Sequence, residues 1–228
     1  PYILICSKKL LISQMKKLNY RFKIKSIDKN KIKSLKLLKN HINVLDVKFN
    51  FKKTFDRISN NSSKYIENCF LEGLKLIRIG KGNILINGPV SKKHFLKKKF
   101  LGITEYMANK SNKKGQEIML IYNKKLSVSP MTTHLPLQDV KKNISTKKII
   151  HNVLKINSFF NHKLKRKPKF AITGLNPHCE TNGKFSEEDK IILPAIKKLK
   201  KKNINIKGPF PADTLFLKKN IKKFNVII

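Results

Sequence analysis

Short apolar runs alternate with longer amphipathic ones along the whole chain, and this alternation is what most limits the folds open to it. Residues 2–6 read as a strand, and residues 8–18 place apolar side chains at helical spacing. Phe22, Ile24 and Ile27 mark a second strand, and 44–47 another. Residues 64–79 form an amphipathic helix with Ile66, Phe70, Leu74 and Ile77 on one face. Residues 83–86 predict a strand, and 117–122 with 126–132 a neighbouring pair. A helix follows over 147–160, capped by Ser145 or Thr146, then a strand over 170–173. Ser186-Glu187-Glu188-Asp189 has the form of a capping box with Asp in place of Glu or Gln, and it opens a helix to about Lys202. Residues 204–207 and 224–228 are the last strands. Parallel strands need long crossovers, usually helices, so strand–helix alternation predicts an α/β fold with a largely parallel sheet. A chain of 228 residues suits one large domain or two small lobes.

In parallel sheets chemistry gathers in the loops beyond the carboxyl ends of strands, and the unusual residues fall there. Asn87-Gly88-Pro89-Val90-Ser91-Lys92 follows one strand and Thr133-His134-Leu135-Pro136-Leu137 another. Gly174-Leu175-Asn176-Pro177-His178 follows a third, and Gly208-Pro209-Phe210-Pro211-Ala212-Asp213 a fourth. His134 and His178 each lie close to a proline that stiffens the loop. Two imidazoles at one rim suit a divalent cation, although a lone histidine after a strand is more often a structural hydrogen-bonding residue. His41, His94, His151 and His162 lie in lysine-rich or helical surroundings and read as solvated surface residues.

The net charge of +39 raises the question of a nucleic-acid partner. The 52 basic residues include only four arginines, Arg21, Arg57, Arg78 and Arg166, and lysine is spread evenly beside Asn and Ile. Base and phosphate recognition leans on the bidentate guanidinium. Lys, Asn and Ile have AT-rich codons, so genome composition accounts for the whole pattern, whereas nucleic-acid binding accounts only for its sign. The three cysteines, Cys6, Cys69 and Cys179, share no metal-ligand or disulfide spacing, which points to a reducing, cytoplasmic compartment. No run of about 18 uncharged apolar residues predicts a membrane span. The segment starts without Met or a signal peptide and reads as the interior of a longer protein that is incomplete at both ends.

Several motifs in order resemble the 4-hydroxythreonine-4-phosphate dehydrogenase family. They are the 87–92 motif, Gly102-Ile103-Thr104-Glu105-Tyr106, the 133–137 motif, Leu175-Asn176-Pro177-His178, Gly183, Glu187-Glu188, Ile192-Leu193-Pro194-Ala195-Ile196, and the run from Gly208 to Phe216. The resemblance implies a two-lobed α/β/α fold of the isocitrate/isopropylmalate dehydrogenase type, with lobes over 1–105 and 106–228. It implies NAD-dependent oxidation of 4-phosphohydroxy-L-threonine, followed by decarboxylation to 3-amino-2-oxopropyl phosphate, in pyridoxal phosphate synthesis. It implies one divalent metal (zinc, magnesium or cobalt) held by His134, His178 and a third histidine that is absent from this sequence. In the family that third ligand comes from the partner subunit of a homodimer. Thr104 is implied to bind substrate, and Asp213 and Lys92 to be catalytic. NAD-contacting residues are not identified.

The sequence departs from the family pattern at Ile103, where a substrate-binding histidine is expected, and at Glu180 and Thr181, which replace a glycine and an acid. Cys179 stands for alanine, either as a soft metal ligand or as a small packed residue. Three readings follow: a working dehydrogenase, a decayed non-catalytic remnant of one, and a basic nucleic-acid-binding protein. On the reading that genome composition set the charge, DNA binding is sequence-independent. Its affinity should fall about a thousandfold between roughly 50 and 200 mM salt. Sequence-selective binding that survives high salt in a filter or anisotropy titration would reverse this.

Overall fold

The computed structural model describes residues 1–179 and 186–228. The chain divides into two compact units, Pro1–Glu117 and Ile118–Ile228. Glu105, where the sequence reading puts the change of lobe, lies inside a helix of the first unit.

The first unit contains β1 (Ile3–Cys6), α1 (Lys8–Lys17), β2 (Ile24–Ser26), β3 (Ile42–Asp46), α2 (Ser63–Arg78), α3 (Lys92–Phe95) and α4 (Ile103–Lys110). Its sheet has the order β1-β3-β2, and both pairings are parallel. The turn from β1 into α1 is closed from several sides. The Ser7 hydroxyl accepts from Leu10 N–H at 3.3 Å, and Lys8 N–H donates to Asp46 Oδ1 at 2.8 Å. α2 has the expected apolar face and buries Phe70, Leu74 and Leu76. Phe70, Phe95, Phe100 and Tyr106 meet with ring centroids 5.0–5.6 Å apart, forming the core between α2, α3 and α4. Two histidines read as solvated are half-buried instead. His94 Nδ1 lies 2.8 Å from the Ser91 hydroxyl, and His41 Nδ1 is buried without a hydrogen-bond partner among the described residues.

Residues 83–86, read as a strand, form none. Leu85 packs on the aromatic core, while Ile84 and Ile86 stand exposed to solvent. Alternation satisfies only the side chains of a strand; its N–H and C=O groups also need a ladder neighbour, and among the described residues this segment has none.

The second unit contains β4 (Ser127–Val128), α5 (Leu137–Val140), α6 (Thr146–Lys163), β5 (Phe170–Thr173), α7 (Leu193–Lys201), β6 (Ile206–Phe210), α8 (Ala212–Leu215), α9 (Lys218–Ile221) and β7 (Val226–Ile227). Its sheet has the order β4-β7-β5-β6, parallel throughout. β5 alternates as a doubly covered strand should. Phe170 and Ile172 pack under α6 and α7 with Ile149, Val153, Ile196 and Leu199, while Ala171 faces Leu215 and Phe224. Ser145 caps α6 as expected, its hydroxyl accepting from Lys148 N–H at 3.2 Å. The strand expected over 117–122 is reduced to one antiparallel bridge, Ile121 to Val128, and that over 126–132 to β4.

The β5–β6 ladder shifts register between Ala171 and Thr173, opposite Gly208. Gly208 has φ +136, and a Cβ there would lie 2.5 Å from the Ile172 carbonyl oxygen. Only glycine takes that conformation against that neighbour without strain. Gly208→Ala is therefore expected to destabilise the fold by about 1–3 kcal/mol. Gly88→Ala, where a Cβ meets nothing within 4 Å, should leave stability nearly unchanged. Urea denaturation of the two variants checks the difference.

Candidate functional site

Parallel strands release their chains at the same sheet edge, so the loops after β4, β5 and β6 share one rim. His134 lies on the loop after β4, His178 on the loop after β5, and Asp213 in the first turn of α8 after β6. The structure brings two of these side chains together. His178 Nδ1 lies 3.4 Å from Asp213 Oδ2, with side chains 69% and 56% exposed. Asp213 Oδ1 accepts from Thr214 N–H at 2.7 Å, which fixes the carboxylate facing the imidazole. His134 is exposed and forms no hydrogen bond or ion pair with His178 among the described residues. β7 separates β4 from β5, so their roots stand two strand spacings apart, about 10 Å.

Three non-glycine residues at this rim have left-handed backbone: His134 (φ 55), His178 (φ 57) and Cys179 (φ 60). Such conformations cost about 1–3 kcal/mol each and persist only where surrounding contacts over-determine them. For the loop after β5 those contacts come from Glu187 and Glu188, which open the helix as a π-turn over Glu188–Ile192. Glu188, 2% exposed, accepts from Leu175 N–H, Asn176 N–H and Asn176 Nδ2, each at 2.8 Å. Ser186 Oγ donates to its second oxygen at 3.0 Å. Burial alone would push the Glu188 carboxyl up. The Asn176 backbone and side-chain donors and Ser186 outweigh it and hold the group below the usual carboxylate range.

Glu187, 8% exposed, takes Lys141 Nζ at 2.6 Å and Asn176 Nδ2 at 3.0 Å. The Lys141 ammonium, followed by the Asn176 amide, lowers its pKa to about 2. Gly174 admits this arrangement, because a Cβ there would lie 2.5 Å from Cys179 Sγ and 3.1 Å from Glu188 Oε1. Cys179 therefore packs against Gly174, while Glu180, Thr181 and Gly183 lie outside the described residues. The sequence places both glutamates in a capping box and among the motifs of the family resemblance, with no role in supporting the loop after β5. Half of that box forms, with Asp189 N–H donating to Ser186 Oγ at 3.4 Å. The missed signal was two adjacent acids at the start of an apolar helix, in a chain with only 13 acids.

Lys92 and Thr104 belong to the first unit. Lys92 begins α3, and its Nζ lies 3.9 Å from where a Gly102 Cβ would be, beside the N-terminus of α4. Thr104 is exposed in the first turn of α4, and Ile103 packs on the aromatic core.

Among the described residues no three of His, Cys, Asp and Glu form a group able to hold a metal. The rim carries one imidazole beside a carboxylate and a second imidazole on the loop after β4, and no contact joins the two imidazoles among the described residues.

Because the Glu187 pKa is depressed, its contribution is complete above the ordinary carboxylate range and disappears as pH falls toward about 2. Glu187→Gln should therefore be less stable than the parent at pH 7 and nearly equal to it close to pH 2. Thermal melts at the two pH values check this.

The family model of the pyridoxal phosphate biosynthetic protein PdxA matches residues 1–228. The 4-hydroxythreonine-4-phosphate dehydrogenase of Sulfurihydrogenibium sp. (strain YO3AOP1) is 38% identical over 191 residues, covering 82% of this chain and 57% of that protein. That of Wigglesworthia glossinidia brevipalpis is 29% identical and covers 99% of this chain and 69% of its own length. The crystal structure of the enzyme from Klebsiella pneumoniae superposes with a TM-score of 0.81 at 21% identity, over 100% of this chain and 71% of that one. A terephthalate 1,2-cis-dihydrodiol dehydrogenase from Burkholderia xenovorans LB400 follows at a TM-score of 0.64 and 14% identity. The fold is thus the isocitrate/isopropylmalate dehydrogenase-like α/β architecture, and the chain belongs to the PdxA family of pyridoxal phosphate biosynthesis.

Proposed function

We propose that this chain, which spans 57% of the length of its Sulfurihydrogenibium relative, belongs to an NAD-dependent 4-hydroxythreonine-4-phosphate dehydrogenase, a cytoplasmic homodimer that oxidises and decarboxylates 4-phosphohydroxy-L-threonine. The observation that carries the reading is the His178–Asp213 pair at 3.4 Å, on the rim that also bears His134. A divalent ion (zinc, magnesium or cobalt) would supply Lewis acidity toward the substrate hydroxyl and NAD would accept the hydride.

The residues present have definite tasks in that scheme. His134 and His178 would hold that ion, and the Asp213 carboxylate, 3.4 Å from His178 Nδ1, would orient the ring. Asp213 is exposed enough to touch substrate and to take a proton through the lone pairs its two contacts leave. Lys92 offers a positive charge beside Gly102, next to the helix turn whose exposed Thr104 hydroxyl would bind substrate. The partner subunit would supply the third imidazole.

Ile103 favours a second reading, the decayed remnant. It fills an apolar core where the family has a polar substrate contact, so that contact is lost in this chain.

Residues 1–228 assayed alone should not turn over 4-phosphohydroxythreonine, because two of the three implied imidazoles are present and Ile103 removes a further contact. An NADH absorbance assay at saturating divalent metal checks this against a His134→Ala, His178→Ala control, and turnover clearly above that control would reverse the expectation. The same chain should still bind Co2+, with His134→Ala and His178→Ala each weakening it at least about tenfold, since two imidazoles contribute in place of three. Equal Co2+ affinity in parent and variants by calorimetry would sink the metal reading.

A further inference from the structure

We infer that Glu187 and Glu188 form a two-armed clamp that sets the two histidine loops relative to each other, making them positioning residues of the candidate metal centre. The purpose assigned to the clamp rests on the metal reading above; its existence as a coupling device does not.

The argument starts from cost. A buried carboxylate is unfavourable unless hydrogen-bonded or paired, yet two consecutive ones sit here, in a chain with 13 acids against 52 bases. A helix cap needs only the Ser186 hydroxyl, which Asp189 N–H already uses. The glutamates instead reach away from their own helix. Glu188 grips the backbone of Leu175 and Asn176, at the head of the loop that holds His178 in left-handed backbone. Glu187 reaches the other way, to Lys141 just beyond α5, the helix that closes the His134 loop. Asn176 Nδ2 joins the two arms, donating to Glu187 Oε2 at 3.0 Å and to Glu188 Oε2 at 2.8 Å. A chain of polar contacts therefore runs from Lys141, at the end of the short helix that follows the His134 loop, through Glu187 to Asn176, the residue preceding Pro177-His178.

That path gives the two loops a connection that the sheet cannot. Their strands are not neighbours, since β7 lies between β4 and β5. Shared ligation needs both imidazoles held to within about 0.5 Å, and backbone on separate loops does not ensure that without a cross-tie.

The test uses the uniformly 15N-labelled chain and reads imidazole resonances and amide hydrogen exchange without metal. Lys141→Met is the central variant, because Lys141 is exposed and its replacement should leave the fold intact. It is expected to move the His178 imidazole resonances as well as those of His134. Glu187→Gln should do the same, and Glu188→Gln should speed amide exchange at Leu175 and Asn176 at least tenfold. Ser145→Ala removes a helix cap elsewhere in the unit and controls for general loss of stability; it should leave both imidazoles unmoved. Lys141→Met leaving the His178 resonances in place, or moving them no more than Ser145→Ala does, overturns the clamp even if Glu188→Gln fails to fold. A Co2+ titration separates the two ideas. Lys141→Met and Glu187→Gln should weaken Co2+ about tenfold, within the usual range for residues that orient ligands. If His134→Ala and His178→Ala bind Co2+ as the parent does, the metal reading fails while the resonances still decide the clamp.

Discussion

The parallel pairing of β5 with β7 on one side and β6 on the other governs where the candidate residues of the second unit go. Phe170, Ala171 and Ile172 are almost fully buried between two apolar layers, so a one-residue slip would carry Phe170 out of one core and into the other. With that register set, the loops after β5 and β6 emerge side by side, and His178 meets Asp213. The bulge at Gly208 belongs to the same constraint. It lets β6 pass close to the Ile172 carbonyl and brings Phe210 opposite Thr173, just before the turn that carries Asp213.

Electrostatics adds a second layer of order. A chain this basic repels itself, and its few acids take up specific positions. Glu67 bridges Lys64 and Lys110 at 3.1 and 2.9 Å, and Glu72 meets Lys29 at 2.6 Å. Contacts of this exposed kind contribute roughly 0–1 kcal/mol each. Glu187 and Glu188 are different because they are withdrawn from water, where a lost partner leaves an uncompensated charge. They therefore contribute to overall stability as well as to the order of the loops around the candidate site.

Much of the secondary structure was legible in the residues. α2, α6 and β5 follow their hydrophobic periods closely, and Ser145 caps α6 as its position indicates. Residues 83–86 and 117–122 have equally good strand patterns and form no strand, because a pattern describes side chains and a strand also requires a neighbour's backbone. At the candidate site, the positions of His134, His178 and Asp213 on loops beyond strands were legible because each follows an apolar run in the sequence. The supporting glutamates were not, since their donors at Lys141, Leu175 and Asn176 are far away in the chain.

Local physics, then, settled the α/β alternation, the helix caps and the loops on which the chemistry-bearing residues lie, since all of these depend on neighbours within a turn or two of the chain. Tertiary structure alone decided the strand order that puts β7 between β4 and β5, the meeting of His178 with Asp213, and the burial of two adjacent carboxylates beneath the Asn176 loop. The reason is physical. Strand order and carboxylate pairing are set by contacts between segments remote in sequence, whose energies exist only once the sheet has closed and excluded water.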